Sequence, residues 1–156
     1  MKTKLHLQNV HDQNTLPSAK QFQQWVDASN TKFENAEACI RIVSSDEMQE
    51  HNFEYRKKNK PTNVLSFAYA ADDNFIREQD GSLYLGDILI CPDIVEAEAQ
   101  AQKKALYDHY AHLSIHGMLH LLGYDHQKTD EANIMEALEI EILQTFNINN
   151  PYQVSL

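Results

Sequence analysis

The chain has 156 residues, of which 42% are hydrophobic and 23% charged, and this composition excludes a largely disordered or low-complexity protein. Its 13 Lys and Arg residues stand against 23 Asp and Glu residues, which gives a formal net charge of −10. Such a surface repels a phosphate backbone on average, so any nucleic-acid partner has to be bound by a local basic patch.

The length, the cysteines and the hydropathy pattern together predict one domain over residues 1–156 and a cytoplasmic location. Two cysteines, Cys39 and Cys91, are too few for a disulfide scaffold and are typical of a reducing compartment. The amino-terminal segment lacks the apolar core of a signal peptide, and no stretch reaches the ~18 apolar residues of a membrane span. We therefore expect no membrane partner.

The hydrophobic periodicity predicts four strands and five helices in the order βαβαββααα. Pro17 and Pro92 suit the first turn of a helix, because the N–H that proline lacks has no partner there. The predicted elements are strand 2–10, helix 17–29, strand 38–43, helix 44–55, strand 63–70, loop 71–81, strand 83–91, and helices 92–106, 109–122 and 129–146. This order is no regular βαβ alternation, and it predicts an α+β fold in which one small mixed β-sheet packs against helices.

Four single positions carry local expectations. Gly86 permits a bulge or a close backbone approach within strand 83–91. Asp87 is an unusual charge in that apolar strand, and it either lines a site or marks the side of the strand that faces solvent. Thr129 is expected to cap the last helix, and Ile134 to lie on the apolar stripe of that helix.

Five of the eight histidines lie within one short stretch, at positions 109, 112, 116, 120 and 126. His116 and His120 are four residues apart and therefore share one helix face. Gly123 can adopt a positive φ, end the helix and reverse the chain, so that His126 approaches the same point. Three imidazoles with an open fourth position are the usual ligand set of a catalytic zinc ion, although nickel and copper accept the same ligands.

His112 lies on the same face one turn earlier, but it is eight residues from His120, or roughly 12 Å along a helix axis. Zinc–nitrogen bonds are only ~2.1 Å long, so His112 cannot join the same coordination sphere. Free histidine exchanges a proton near neutral pH, which makes His112 the candidate for proton transfer. A packed histidine cluster and a purely structural zinc site are the alternatives, and no cysteine close in sequence supports the latter.

The pattern His-x-x-x-His-x-x-Gly-x-x-His matches that of metzincin peptidases except that Gly117 replaces their glutamate. That glutamate is the general base of the peptidases, and glycine has no side chain that takes a proton. The sequence therefore predicts a zincin-like metal helix without effective peptidase activity.

Three blocks of this sequence resemble the YbeY family of bacterial ribosomal RNA maturation factors. They are HGMLHLLGYDH at 116–126, the stretch 55–67 that begins Tyr55-Arg56, and LGDI at 85–88. The resemblance implies a small α+β fold and a metal bound by residues that correspond to His116, His120 and His126. It also implies that Arg56 is a functional arginine. This sequence departs from the family pattern at position 63, where Asn63 replaces the usual Asp.

The same resemblance implies a metal-dependent endoribonuclease that acts on single strands in ribosomal RNA maturation and ribosome quality control. Its implied partners are ribosomal RNA and components of the small ribosomal subunit, not DNA. Two alternatives remain open at this point. One is a non-catalytic, metal-containing assembly factor that binds ribosomal RNA or ribosomal proteins, and the other is a zincin-like hydrolase acting on peptides.

A basic turn supplies the local patch that the acidic composition requires. Four of the 13 basic residues are Arg56, Lys57, Lys58 and Lys60. The planar guanidinium of Arg56 is the member best suited to bidentate contact with phosphate. A solvated lysine-rich loop is the alternative interpretation of the turn. Together with His112, the candidate for proton transfer, Arg56 completes the pair of predicted catalytic residues.

Overall fold

The computed structural model describes residues 3–9, 15–69, 81–125 and 128–152. Within these ranges the order βαβαββααα is confirmed. The elements are β1 (Thr3–Asn9), α1 (Ala19–Ser29), β2 (Ala36–Ile42), α2 (Ser45–Arg56), β3 (Val64–Ala68), β4 (Leu83–Ile90), α3 (Pro92–Gln102), α4 (Leu106–Leu121) and α5 (Thr129–Gln144). Nearly all of the predicted loop over 71–81 lies outside the described residues.

The four strands form one sheet in the order β1-β2-β4-β3. β1 and β4 both run parallel to β2, whereas β3 runs antiparallel to β4. The prediction of an α+β fold with a small mixed sheet is confirmed. The prediction that residues 1–156 form a single domain stays a prediction.

A bulge interrupts the pairing of β2 with β4, because Glu37 pairs with Tyr84 and the next residue, Ala38, pairs with Gly86. Gly86 has a φ of +147°, and a Cβ atom there would lie 2.0 Å from the carbonyl oxygen of Phe67 on β3. Glycine is therefore required at this point, and both alternatives predicted for Gly86, a bulge and a close backbone approach, are confirmed.

The main core lies between one face of the sheet and the helices α1 and α4, and we call this face the α4 face. Ten of the 16 residues of α4 are buried. Leu85 and Ile88 of β4 belong to this core. The opposite face, which we call the α2 face, carries a smaller apolar cluster with Met48 of α2 and Leu89 of β4. The central position of α4 fixes its histidines relative to the sheet.

The end of α2 fixes the basic turn. The Ser44 side chain caps the first turn of α2 by accepting a hydrogen bond from the Glu47 N–H at 3.2 Å. Lys57, with a φ of +60°, ends the helix in the left-handed region, which places Arg56 in its last turn. The buried Asn52 side chain donates a 2.8 Å hydrogen bond to the carbonyl oxygen of Lys60 and thereby holds the turn against the helix.

Several helix ends, one cap and one buried position differ from the predictions. Pro17 precedes α1 and does not lie in its first turn, because Ser18 is the N-cap of that helix. α3 ends at Gln102 because Lys103 adopts a φ of +56°, and α4 begins three residues earlier than predicted, at Leu106. The prediction that Thr129 caps α5 is wrong, since Lys128 occupies the N-cap without a side-chain hydrogen bond. Ile134 is 57% exposed, so the buried stripe of α5 passes through Met135 instead. None of the helices in the described part of the chain is long and apolar enough to cross a membrane.

Candidate active site

A cavity of about 580 Å³ opens where the end of α4, the edge strand β3 and the last turn of α2 meet. The residues that carry polar or charged groups into it include Arg56, Asn63, Ser66, His116, His120 and Asp125. Residues from three separate elements therefore meet in one cavity, and among them are two of the three predicted metal ligands and the predicted functional arginine.

The histidine pair of α4 has the predicted geometry. The ring centroids of His116 and His120 lie 4.8 Å apart with the rings nearly perpendicular, at 78°. α4 ends at Leu121, and Gly123 follows with a φ of +101°, which confirms that this glycine ends the helix. His126 lies outside the described residues, so its role as the third ligand stays a prediction.

Arg56 lines the same cavity from the exposed end of α2. The other three basic residues of the turn, at positions 57, 58 and 60, are also exposed, but they do not belong to the described lining of this cavity. Arg56 is thus the basic residue of the turn that shares a cavity with the histidine pair.

Sequence reasoning missed a buried carboxylate, Glu139 of α5, which is fully buried against α4. Its Oε1 is hydrogen-bonded to Nδ1 of His116, and its Oε2 lies 3.3 Å from Nε2 of His112. The hydroxyl of Tyr152 donates to Oε2 as well. A charged residue four positions after Met135 falls on the buried stripe of α5, and that placement is the feature of the sequence that would have pointed to Glu139.

Glu139 is ionised at neutral pH. Burial alone raises the pKa of this carboxyl, but hydrogen bonds from His112 and His116 outweigh it, and the pKa lies at about 2 instead of 4.5. An ionised carboxylate has no proton to donate, so the Nδ1 of His116 carries the hydrogen of their shared bond. This hydrogen bond fixes the orientation of the His116 ring, so that Nε2 is the nitrogen that could bind a metal ion.

His112 lies one helical turn before His116, with 14% of its side chain exposed. Its Nε2 contacts Glu139 and, at 3.2 Å, the hydroxyl of Tyr152. His112 is absent from the described lining of the cavity. Its predicted role in proton transfer stays a prediction.

The donor groups at this site fit a transition-metal ion. Within the described part of the chain, His112, His116 and Glu139 offer ligand atoms that lie within 4.8 Å of one another. Imidazole nitrogens and a carboxylate oxygen are ligands that zinc and neighbouring divalent metals accept. The His116–His120 pair provides a second set of imidazoles that faces the cavity.

A second hydrogen-bonded carboxylate fixes the orientation of Asn63 in the cavity. The Asn63 side-chain amide donates to Oε1 of Glu98 at 2.9 Å, and Nε2 of the buried His109 lies 2.9 Å from the same oxygen. Burial lowers the pKa of His109 despite the opposing effect of Glu98, which favours the neutral imidazole. This contact also gives His109 a structural role apart from the predicted metal ligands.

Gly117 lies where α4 packs closely against the sheet. A Cβ atom at this position would lie 3.0 Å from Cγ2 of Ile88 and 3.2 Å from Oγ of Ser66. A side chain at the position equivalent to the peptidase glutamate would therefore require Ile88 and Ser66 to shift by a few tenths of an ångström. This contact gives a packing reason for the glycine that the sequence pattern alone did not contain.

We expect a Gly117→Glu variant to lose stability without gaining peptidase activity. A buried carboxylate pressed against Ile88 combines overpacking with an unpaired charge, which should lower the free energy of unfolding by about 3 kcal/mol or more. Urea denaturation measures this loss, with the exposed Ala137→Glu as the matched control. Casein hydrolysis by the unaltered protein that disappears in a His120→Ala variant would contradict the predicted absence of peptidase activity.

Comparison with known proteins places this site in a family. The sequence model of the family described as Endoribonuclease YbeY matches residues 6–147. A protein named Endoribonuclease YbeY from Colwellia psychrerythraea is 46% identical over 142 residues, which cover 88% of each chain. One of the same name from Pseudoalteromonas translucida is 46% identical over 155 residues, which cover 98% of each chain.

The fold has a solved counterpart. The solution structure of TM1509 from Thermotoga maritima superposes with a TM-score of 0.50 at 21% sequence identity, over 97% of this chain and 99% of that one. This likeness concerns the fold alone.

The mixed sheet, the histidine pair of α4 and the arginine that lines the same cavity define an α+β fold with a candidate metal centre. The family match over residues 6–147 specifies this class further: the chain belongs to the YbeY endoribonuclease family, whose members are hydrolases that act on RNA. The predicted resemblance to this family, and with it the prediction of an endoribonuclease, is confirmed.

Proposed function

We propose that this protein cleaves single-stranded RNA in a metal-dependent reaction, and that its substrate is ribosomal RNA during maturation and quality control of the ribosome. The observation that carries the proposal is the meeting of Arg56 with the histidine pair of α4 in one cavity. Cleavage of a phosphodiester needs a cationic donor for the phosphate oxygens and a centre that activates the nucleophile. Arg56 supplies the donor, and the histidine pair can hold a metal ion as the activating centre.

In this proposal His116, His120 and His126 hold one zinc ion, with nickel or another transition metal as the alternative. When bound, the ion supplies a Lewis acid for the phosphate and lowers the pKa of water. The carboxylate of Glu139 keeps the His116 ring in one orientation through the bond to Nδ1. Because that bond occupies Nδ1, the ion would be bound through Nε2 of the same ring.

The chain's own side chains bind and orient the RNA. The Arg56 guanidinium donates two parallel N–H bonds to the non-bridging oxygens of the scissile phosphate. The Asn63 amide, held by Glu98, supplies a further oriented polar group in the cavity. His112 keeps its predicted role in proton transfer, which is supported by its position beside His116, with ring centroids 6.1 Å apart.

The cellular setting of the proposal is the cytoplasm, where ribosomal RNA and components of the small subunit are the partners. Two observations support it. Cys39 and Cys91 are both buried and form no disulfide with each other, as expected in a reducing compartment. The net charge of −10 disfavours indiscriminate binding to DNA or RNA, so recognition has to rely on the cavity.

A cleavage assay tests this function directly. We expect zinc-loaded protein to cut an end-labelled single-stranded RNA, to spare the same RNA annealed to its complement, and to lose the activity when a chelator removes the metal. Restored cleavage on adding zinc completes the test. Unchanged cleavage in chelated protein, or equal cleavage of the duplex, would contradict the proposal.

We expect Glu139→Gln to weaken zinc binding by about 10- to 100-fold, the usual loss when the group that orients a ligand histidine is altered. The amide keeps the size of the side chain but removes the charge that holds His116 Nδ1–H. Competition with a chromogenic chelator measures the affinity. Glu141→Gln, on the exposed side of the same helix, is the control, and equal affinities of the two variants would contradict this role for Glu139.

A further inference from the structure

A second cavity of about 580 Å³ lies on the α2 face of the sheet, and its described lining shares no residue with that of the first. It is bordered by α2 and by the strands β2, β3 and β4. Asp87, the charge that was unusual in its strand, points into this cavity and not into the candidate active site. The endoribonuclease site described above leaves these groups unused.

Aromatic rings dominate the walls of this second cavity. The rings of Tyr55 and Phe67 lie 4.7 Å apart at 61°, and those of Tyr69 and Tyr84 lie 5.4 Å apart at 35°. Tyr55 is 60% exposed and Tyr69 49% exposed. Large rings left this open to solvent are typical of a binding surface, and unpaired nucleobases are recognised by stacking on such rings.

The polar groups of the cavity favour a base over a phosphate. Asp87 accepts hydrogen bonds from the hydroxyls of both Tyr69 and Tyr84. Arg41 is engaged by Glu47, with Nη2 2.6 Å from Oε1. Arg41, Glu47 and Asp87 together carry a net negative charge, which repels phosphate. Their carboxylate oxygens can accept hydrogen bonds from the N–H groups of a base edge.

The two cavities adjoin at the end of α2. Arg56 lines the first cavity, and Tyr55, the residue before it, lines the second. The edge strand β3 continues this division, because Ser66 lines the first cavity and Phe67 the second. A strand of RNA whose phosphate is bound at Arg56 therefore needs only to pass the end of α2 to bring a neighbouring base to Tyr55.

Resting on the proposed function, we propose that the second cavity binds an unpaired base of the RNA strand that continues from the scissile phosphate. Tyr55 and Tyr69 provide the stacking surfaces, and Asp87 with its two tyrosine hydroxyls provides contacts for the base edge. The requirement for single-stranded RNA then has a physical basis, since a paired base cannot leave its stack to enter the cavity.

The test measures binding of a fluorescent single-stranded RNA of about ten nucleotides to metal-free protein, so that cleavage does not interfere. We expect Tyr55→Leu and Tyr69→Leu each to weaken binding by about 5- to 150-fold, the range given by the loss of one stacked base. Tyr55→Phe should retain the affinity. Tyr107→Leu, which removes a ring of similar exposure on α4, is the matched control, and melting temperatures identify any variant that fails to fold.

Photocrosslinking gives a second measurement that does not depend on substitution. RNA carrying 5-bromouridine next to the cleavage position should crosslink to Tyr55, Phe67 or Tyr69, as located by mass spectrometry. Unchanged affinity of both leucine variants, or crosslinks confined to other surfaces, would overturn the proposal. Failure of the wild-type protein to cleave any RNA would instead contradict the proposed function, so the two failures are distinguishable.

Discussion

Arg56→Glu is expected to lower the rate of RNA cleavage by about 10²- to 10³-fold, which is the usual cost of losing one donor that stabilises charge in a transition state. The substitution removes the guanidinium from the cavity and places a carboxylate where a phosphate has to bind. The side chain is exposed, and the helix-end charge it reverses is worth about 1 kcal/mol or less, so the melting temperature should change little.

Steady-state cleavage of a labelled single strand, together with thermal unfolding, measures both effects. Lys20→Glu is the control, because it makes the same change of charge at an exposed position of α1. Arg56→Lys keeps the charge but not the bidentate geometry, and should retain an intermediate rate. An equal loss of cleavage in the Lys20 variant would show that only the overall charge matters and would remove any special role for Arg56.

His116→Ala should abolish both the bound metal and the cleavage of RNA. Altering a group that merely orients a ligand costs about 10- to 100-fold in affinity or activity, so removing the ligand itself should cost more than ~10²-fold in each. It also leaves the buried carboxylate of Glu139 without the hydrogen bond from Nδ1, which adds a loss of stability. Metal content by mass spectrometry and cleavage by protein purified in the same way are the measurements.

The same experiment examines the other predicted ligands. His120→Ala and His126→Ala should each behave like His116→Ala, whereas His6→Ala, on the exposed side of β1, should retain metal and activity. One metal ion per chain in the His116 variant would contradict the ligand assignment. Retention of metal in the His126 variant alone would favour the set of His112, His116 and Glu139 instead.

The order of the elements could be predicted from sequence because each one carries its own hydrophobic period. Two helix ends are fixed by backbone geometry without a residue signature: Lys103 takes a left-handed φ that usually belongs to glycine, and Lys128 occupies an N-cap without a capping side chain. A local pattern contains no information on such ends, since neighbouring packing decides them. The start of α1, predicted at Pro17, does carry a signature, the capping box of Ser18 and Gln21.

Some residues of the candidate site could likewise be predicted from the sequence, and others could not. His116 and His120 could be identified because helical spacing alone brings them together, and Arg56 because a resemblance supplied its role. The place of Glu139 on the buried stripe of α5 marks it as unusual, but its partner could not be predicted, because the contact with His116 spans 23 residues and depends on how α5 packs against α4. The packing of Gly117 against Ile88 is likewise a contact between elements, which no spacing within α4 encodes.

The bulge at Gly86 determines which side chains of β4 point to each face of the sheet. Leu83 and Leu85 face the core on odd-numbered positions of β4, whereas Ile88 and Ile90 face it on even-numbered ones, so the alternation changes phase within a single strand. That change of phase turns Asp87 away from the core and towards the tyrosines. A larger residue at position 86 would displace the Phe67 carbonyl and move β3, the strand that both cavities share, so one position governs the shape of both at once.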